Sequence, residues 1–341
     1  MNALGFKSSQ KIVRPWSVSW SLILTLEILA VVRADAFVTR PKLDHIAVIA
    51  VANPAIVLPQ IRGFYDGLGE AGYVDGKQLV IHRVQVESEQ LLRTSLKELL
   101  RDQKVDTIVA SSTVETSIAK EITANIPIVF ITARDPVRVG FVASLARPGA
   151  NLTGLSYSRG IEDSAKQLAV FKEIVPSMKR VLLLYHREQT EIAIIDSVRQ
   201  VAPKIKVDLA WQPIRSIEEA KKAIGMASKR TTDGISIICG ATFRGLKTLV
   251  DMALANGLPM FGCAATQVAD DGALMTYAPD IYYIGYRGAW YVDRILRGAK
   301  PQELPVEVPS KFELVINLKT AKALGLKIPP AKIVLADRVF Q

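Results

Sequence analysis

Side chains able to grip a small molecule gather in short loops, each placed just after an apolar run. Asn53 follows residues 45–51. Ser111, Ser112 and Thr113 close the run 105–111, and Asp135 follows 126–132. Further along, His186 ends 180–186, Thr242 follows 234–240, and Tyr277 and Asp280 lie in 272–280. Hydroxyls and backbone N–H groups at a strand-to-helix turn form an anion cradle suited to a carboxylate or phosphate. The same serine–threonine triplet serves equally as a plain helix cap, which needs one of the three. Asp135 offers a carboxylate to a ligand ammonium, a strong contact in a closed cleft, or caps a turn before Pro136. Asn53 bonds a ligand or forms an Asx turn. Tyr277, with Tyr282 and Tyr283, offers a stacking face or ordinary domain packing. His186 reaches a cleft or is a bonded structural histidine.

Constellations for catalysis are thin. His45, His82 and His186 are far apart and lack metal-ligand spacing. The chain has no G-x-S-x-G elbow, no Walker loop and no G-x-G-x-x-G opening a helix. The glycines of "DGLGEAGYVDG" end a helix and make a turn instead. These features point to binding without chemistry, with no cofactor and no metal.

The elements that must carry those loops follow from apolar periodicity. The β-branched run 45–51 has the character of a strand buried on both faces. Ile61, Phe64, Tyr65 and Leu68 recur at helical spacing within 59–72, closed by Gly72. The alternation continues: strand 78–84, helix 88–103, strand 105–111, helix 114–123, strand 126–132. This is βαβαβαβ with short loops, hence a parallel sheet. The rhythm then restarts: helix 164–176, strand 180–186, and further helix–strand pairs up to a strand at 258–263. The tail adds a strand at 272–280, a helix at 281–298 with Ile284, Ala289, Tyr291, Val292, Ile295 and Leu296 on its apolar stripe, and a last strand running into a short helix. The expected fold is α/β, with two doubly wound Rossmann-like lobes joined by hinge strands. The expected division is 43–155 for the N-terminal lobe, completed by about 275–300, and 156–274 for the C-terminal lobe, completed by about 301–341. In open parallel sheets, ligands sit beyond the carboxyl ends of the strands, which is where the candidate loops fall. Arg147-Pro148-Gly149 turns the chain, and residues 151–156 are read as the first hinge strand.

Composition bounds the function. The 341 residues suit two domains of roughly 150 each. Hydrophobic residues make up 49% and charged residues 22%, a globular balance. The net charge of +10 is spread among acids, as in "SIEEAKKAIGMASKR", so it reads as a solvated surface. No helix-turn-helix, zinc-finger spacing or aromatic RNA-binding signature accompanies it, so no nucleic-acid partner is expected. Cys239 and Cys263 each close an apolar run and read as two buried structural thiols, with a disulfide as the alternative in an oxidising compartment. Lys7, Lys11 and Arg14 precede an apolar run and then Ala34-Asp35-Ala36, the order of a secretory signal over residues 1–36. Glu27 and Arg33 depart from that pattern.

Three stretches carry a family resemblance: "FYDGLGEAGYVDGKQLVI" (64–81), "IPIVFITARDPVRVGFVASLARPGANLTGLS" (126–156) and "YVDRILRGAKPQELPVEVPSKFELVINLKTAKALGLKIPP" (291–330). Together they resemble the periplasmic substrate-binding proteins of ABC transporters of the aromatic-amino-acid-binding, TrpX-like type. The resemblance implies a type-I periplasmic-binding-protein fold with a closing cleft. It implies an exported periplasmic monomer that passes a small carboxylate-bearing or amino-acid-like ligand to a membrane ABC permease, without chemistry of its own. It places Ser112, Thr113 and Asp135 at the ligand. "VANPAIVLPQ", "SSTVETS" and "GATFRG" depart from the family's usual forms, and all three fall in the expected cleft. Two other classes compete: a two-lobed Rossmann-like enzyme, glycosyltransferase- or isomerase-like, with Asp135 or Glu188 as acid or base, and an ectodomain-type ligand sensor.

Overall fold

The computed structural model describes residues 43–55, 57–188, 190–239 and 246–341. The expected leader, 1–36, and Thr242 lie outside the described residues. Among the described residues no helix is long and apolar enough to cross a membrane.

The first half alternates as its apolar spacing requires: β1 (Asp44–Val51), α1 (Pro59–Glu70), β2 (Leu79–Val86), α2 (Glu89–Asp102), β3 (Thr107–Ala110), α3 (Thr113–Ile122), β4 (Ile128–Ala133) and β5 (Leu152–Ser156). The strands form one parallel sheet in the order β2-β1-β3-β4-β5. Residues 46–51 of β1 are buried throughout, as a central strand covered on both faces must be. The segment 151–156, expected as a hinge strand, is instead the fifth strand of this sheet, because β5 pairs along β4 from Leu152 to Ser156. The crossing to the second half follows it. Gly154 allows the pairing: its φ is +146°, and a Cβ there would lie 2.0 Å from the Phe130 carbonyl oxygen.

The second half runs α4 (Asp163–Ile174), β6 (Arg180–His186), α5 (Ile192–Val201), β7 (Asp208–Ile214), α6 (Ile217–Met226), β8 (Gly234–Ile237), α7 (Leu246–Ala255), β9 (Phe261–Gly262), α8 (Ala265–Ala269) and β10 (Met275–Ala278). Parallel strands β7-β6-β8 form one sheet. Strands β9 and β10 form another with β11 (Glu313–Asn317) and β12 (Arg338–Phe340). A bridge between Ile235 and Met260 joins the two.

Between β10 and β11 the chain returns to the first half. Helix α9 (Ile281–Leu296) buries Ile284, Ala289, Tyr291, Val292 and Ile295 in the same cluster as Ile46, Val48 and Phe64. It lies against α1 at backbone contact. A Cβ on Gly63 would sit 2.1 Å from the Tyr282 carbonyl oxygen, and one on Gly285 would sit 1.8 Å from that of Gln60. Glu307 then pairs with Leu155. The return therefore begins at Ile281 rather than at 275, since β10 is laddered to β9 and β11 in the second half. The tail closes with α10 (Leu318–Ala323) and α11 (Pro330–Leu335). One large core cluster covers residues 165–328 of the second half, and two cover the opposite faces of the first sheet. The chain thus passes between lobes three times, near 157–162, 279–280 and 308–312.

Candidate functional site

A cleft of about 860 Å³ lies between the lobes at the carboxyl ends of their strands. The loop after β1 supplies Val51, Ala52 and Asn53, and the start of α1 supplies Leu58 and Pro59. Ser111, Ser112 and Thr113 line it at the β3–α3 turn, and Thr132 and Arg134 at the exit of β4. The second lobe contributes Cys239, Lys247, Cys263, Ala264, Gln267 and Asp271. Tyr157, on the first crossing, also lines it.

The first-lobe wall is cross-braced. Glu115 is 2% exposed. One of its carboxylate oxygens accepts the Val51 N–H at 2.7 Å, and the other accepts the Ser112 hydroxyl, so it ties two strand exits together. Ser112 caps α3 by accepting the Val114 N–H at 3.3 Å. Thr132 donates its hydroxyl to the Ser111 carbonyl at 2.7 Å, and Thr113 accepts the Arg134 N–H at 2.9 Å. Thr132 and Asp135 have φ of 81° and 42°, left-handed backbone that non-glycine residues adopt at a cost of about 1–3 kcal/mol. That bend lies between β4 and the turn at Pro136, and Arg134 within it lines the cleft.

Arg134 is the cleft's first-lobe cation. Its Nη2 donates to the Cys239 carbonyl of the second lobe at 2.5 Å, while its buried Nε has no hydrogen-bond partner among the described residues. Its guanidinium stands 5.9 Å from the Tyr157 ring centre. The Tyr157 hydroxyl donates to the Cys263 carbonyl at 2.8 Å, and burial pushes its pKa up to about 12. On the second-lobe wall, burial pushes the Asp271 carboxyl up, and the charge of nearby Lys247 pulls it the other way. Asp271 has no hydrogen-bond or ion-pair partner among the described residues.

Cys239 and Cys263 are bonded to each other, not free thiols as expected. The parallel exits of β8 and β9 bring their Cα atoms to 5.5 Å, within bridging range. Gln267 steadies the second exit by accepting the N–H groups of Cys263 at 2.5 Å and Ala264 at 3.1 Å.

The structure brings four of the sequence-derived candidates to the cleft: Asn53, Ser111, Ser112 and Thr113. Asn53 also makes the Asx turn, accepting the Ala55 N–H at 2.9 Å. The other described candidates, Asp135, His186, Tyr277 and Asp280, do not line it. Asp135 turns onto its own loop, accepting the Arg138 N–H and pairing with the Arg138 guanidinium, which also pairs with Glu191. His186 is buried at the end of β6 and accepts the Glu188 N–H at 3.3 Å. Tyr277 packs on Phe312 at 5.5 Å between ring centres. Asp280 caps α9 by accepting the N–H groups of Tyr282 and Tyr283, beside a separate cavity of about 210 Å³. Sequence reasoning missed Arg134, Tyr157, Glu115 and Asp271. Of these, Arg134 stands one residue before Asp135, in a loop whose place the sequence marks without marking which side chain faces the cleft.

Residues 45–340 match the family model of the ABC transporter substrate binding protein. The chain belongs to that family. A curated relative, the tyrosine-binding protein of Clostridioides difficile, is 26% identical over 78% of this chain and 76% of its own length. A solved ABC domain from Streptococcus pneumonia in complex with L-Trp is 25% identical, with a TM-score of 0.78 over 88% of this chain and all of that one. A conserved domain protein from Vibrio cholerae is 28% identical, also with a TM-score of 0.78, over 87% of this chain and all of that one. The fold is that of the two-lobed type-I periplasmic binding proteins.

Proposed function

We propose that this substrate-binding protein captures an amino acid whose carboxylate meets Arg134 and whose ammonium meets Asp271. The observation that carries this is the buried Nε of Arg134 in the cleft wall, which has no partner among the described residues. A buried donor without a partner costs about 1–3 kcal/mol, and a ligand carboxylate relieves that cost with a charge-assisted bond. Asp271 faces the cleft from the other lobe, so a zwitterion would join the two walls. Ser112, Thr113 and Asn53 supply further polar contacts, and Val51, Leu58, Ala264 and the disulfide supply apolar surface for the ligand side chain. The relatives' tyrosine and L-Trp support an aromatic amino acid. Closure of the lobes about the three crossings would retain the ligand, and the protein would work as an exported monomer that delivers it to an ABC permease.

A thermal-shift screen of the purified protein against amino acids, aromatic acids, other carboxylates and sugars tests this. A ligand at 100 times its dissociation constant adds about 2.7 kcal/mol to the bound state. Stabilisation by free amino acids, lost when either the carboxylate or the amine is blocked, is the expected result. Stabilisation by sugars alone, or consumption of the hit, would sink the proposal and favour the enzyme reading.

A further inference from the structure

The Cys239–Cys263 bond lies in the cleft wall, and both of its residues offer a main-chain carbonyl to groups outside their own lobe's sheets. Cys239 O accepts Arg134 Nη2, and Cys263 O accepts the Tyr157 hydroxyl. The two donors stand together, guanidinium over ring, one on the first lobe and one on the first crossing. The two acceptors leave different strands. Ile235 of β8 and Met260, just before β9, form a single parallel bridge, four and three residues before the cysteines. Beyond that bridge, the disulfide is the covalent tie that fixes the spacing of the two carbonyls.

We propose that the Cys239–Cys263 crosslink is a positioning device for lobe closure, holding two carbonyls as a paired acceptor: Tyr157, packed on the second-lobe core, occupies one, and Arg134 engages the other when the lobes shut. Arg134 can reach Cys239 only with the lobes together, so this bond belongs to the closed state. The Tyr157 hydroxyl, with its pKa near 12, remains a donor through neutral pH. Loosening the paired acceptor lowers the closed fraction. Apparent affinity falls in proportion, because a ligand bound by a partly populated state sees its dissociation constant divided by that fraction. This inference rests on the cleft being the ligand site.

The test compares the wild-type protein with Cys239→Ala/Cys263→Ala, Tyr157→Phe and the three combined. Small-angle X-ray scattering without ligand reads closure directly, and calorimetry with L-tryptophan as probe reads affinity. Both parent variants should give a larger radius of gyration than wild type, and each should weaken L-tryptophan about tenfold, the worth of one hydrogen bond. Their combination should fall well short of the hundredfold product, since both act on one closure step. If the cysteine variant only melts earlier, with scattering and affinity unchanged, or if the effects multiply fully, the crosslink is a structural staple and the proposal is overturned. If L-tryptophan binds none of the proteins, the ligand reading fails in that form and scattering alone decides the clamp. Should the cysteine variant not fold, a phosphine reductant gives the same comparison on wild type. The phosphine and one water yield two thiols and a phosphine oxide.

Discussion

At Arg134 the guanidinium meets two demands at once. One nitrogen is spent on the opposite lobe, and another is buried with no partner among the described residues. Replacing it by glutamine removes the charge and the fork while keeping a comparable length. Arg134→Gln should weaken binding of the ligand found by screening about a hundredfold, in line with a charged hydrogen bond worth about 1.5–3 kcal/mol, as measured by calorimetry. An Arg134→Gln protein that binds as tightly as wild type would remove Arg134 from the site. The sequence made the loop after β4 stand out but not which of its residues faces inward. That is decided by left-handed backbone at Thr132 and Asp135, a conformation that residue type disfavours and so does not announce. The Ser111–Thr113 turn was legible because hydroxyls before a helix have few other uses, and the structure braces the Ser112 and Thr113 hydroxyls and the Ser111 carbonyl in the wall.

Among the elements, strands with unbroken β-branched runs and helices with clear stripes could be read to within a few residues. β6 and the buried face of α9 are examples. Short elements could not. β9 is two residues long, α8 five and β12 three. Segments of that size carry no more than about one and a half periods of any pattern, too little to recur, and tertiary pairing makes them. The contact of α1 with α9 sits between these cases. Its glycines were visible, but their use became clear only when the two backbones were found touching. Gly285→Ala would drive a methyl into the Gln60 carbonyl and force the helices apart. It should lower the unfolding free energy by more than about 2 kcal/mol, measured by urea denaturation. A change below about 0.5 kcal/mol would mean the helices separate freely. Helix α9 also covers the face of the first sheet that Ile46, Val48 and Val129 leave open, so the loss should appear as instability of the first lobe.

For the whole molecule, acid sensitivity should come from the base of the second lobe. The Arg180 guanidinium, with the main-chain N–H groups of Lys179 and Arg180, holds the Asp233 carboxyl down at about 2. A carboxyl depressed in the folded state adds stability above its unfolded value, near 3.9 for aspartate, and that stability is lost as pH falls through the folded value. The Arg180 side chain is 42% exposed, so solvent screening reduces the contribution to about 1 kcal/mol. Chemical denaturation at pH 6, 4 and 2.5 should show wild-type stability falling between pH 4 and 2.5, with a flatter limb for Asp233→Asn. Parallel limbs would assign the acid loss to other carboxylates. At this scale the two-lobed plan was legible from the restart of the α/β rhythm. The exact return point was not, because a short strand such as β10, parallel to β9 and antiparallel to β11, carries no mark of which sheet it will join.

The three crossings have a consequence for how the protein comes into being. Neither lobe is written as one continuous stretch of sequence. The first sheet is complete at Ser156, yet its covering helix arrives only at Ile281 and its last pairing at Glu307. The second lobe waits for β12 at its final ladder position, Phe340. A growing chain therefore cannot finish one lobe and then start the other. Both reach maturity in the last sixth of synthesis, and until then the growing chain lacks a fully covered core in either lobe.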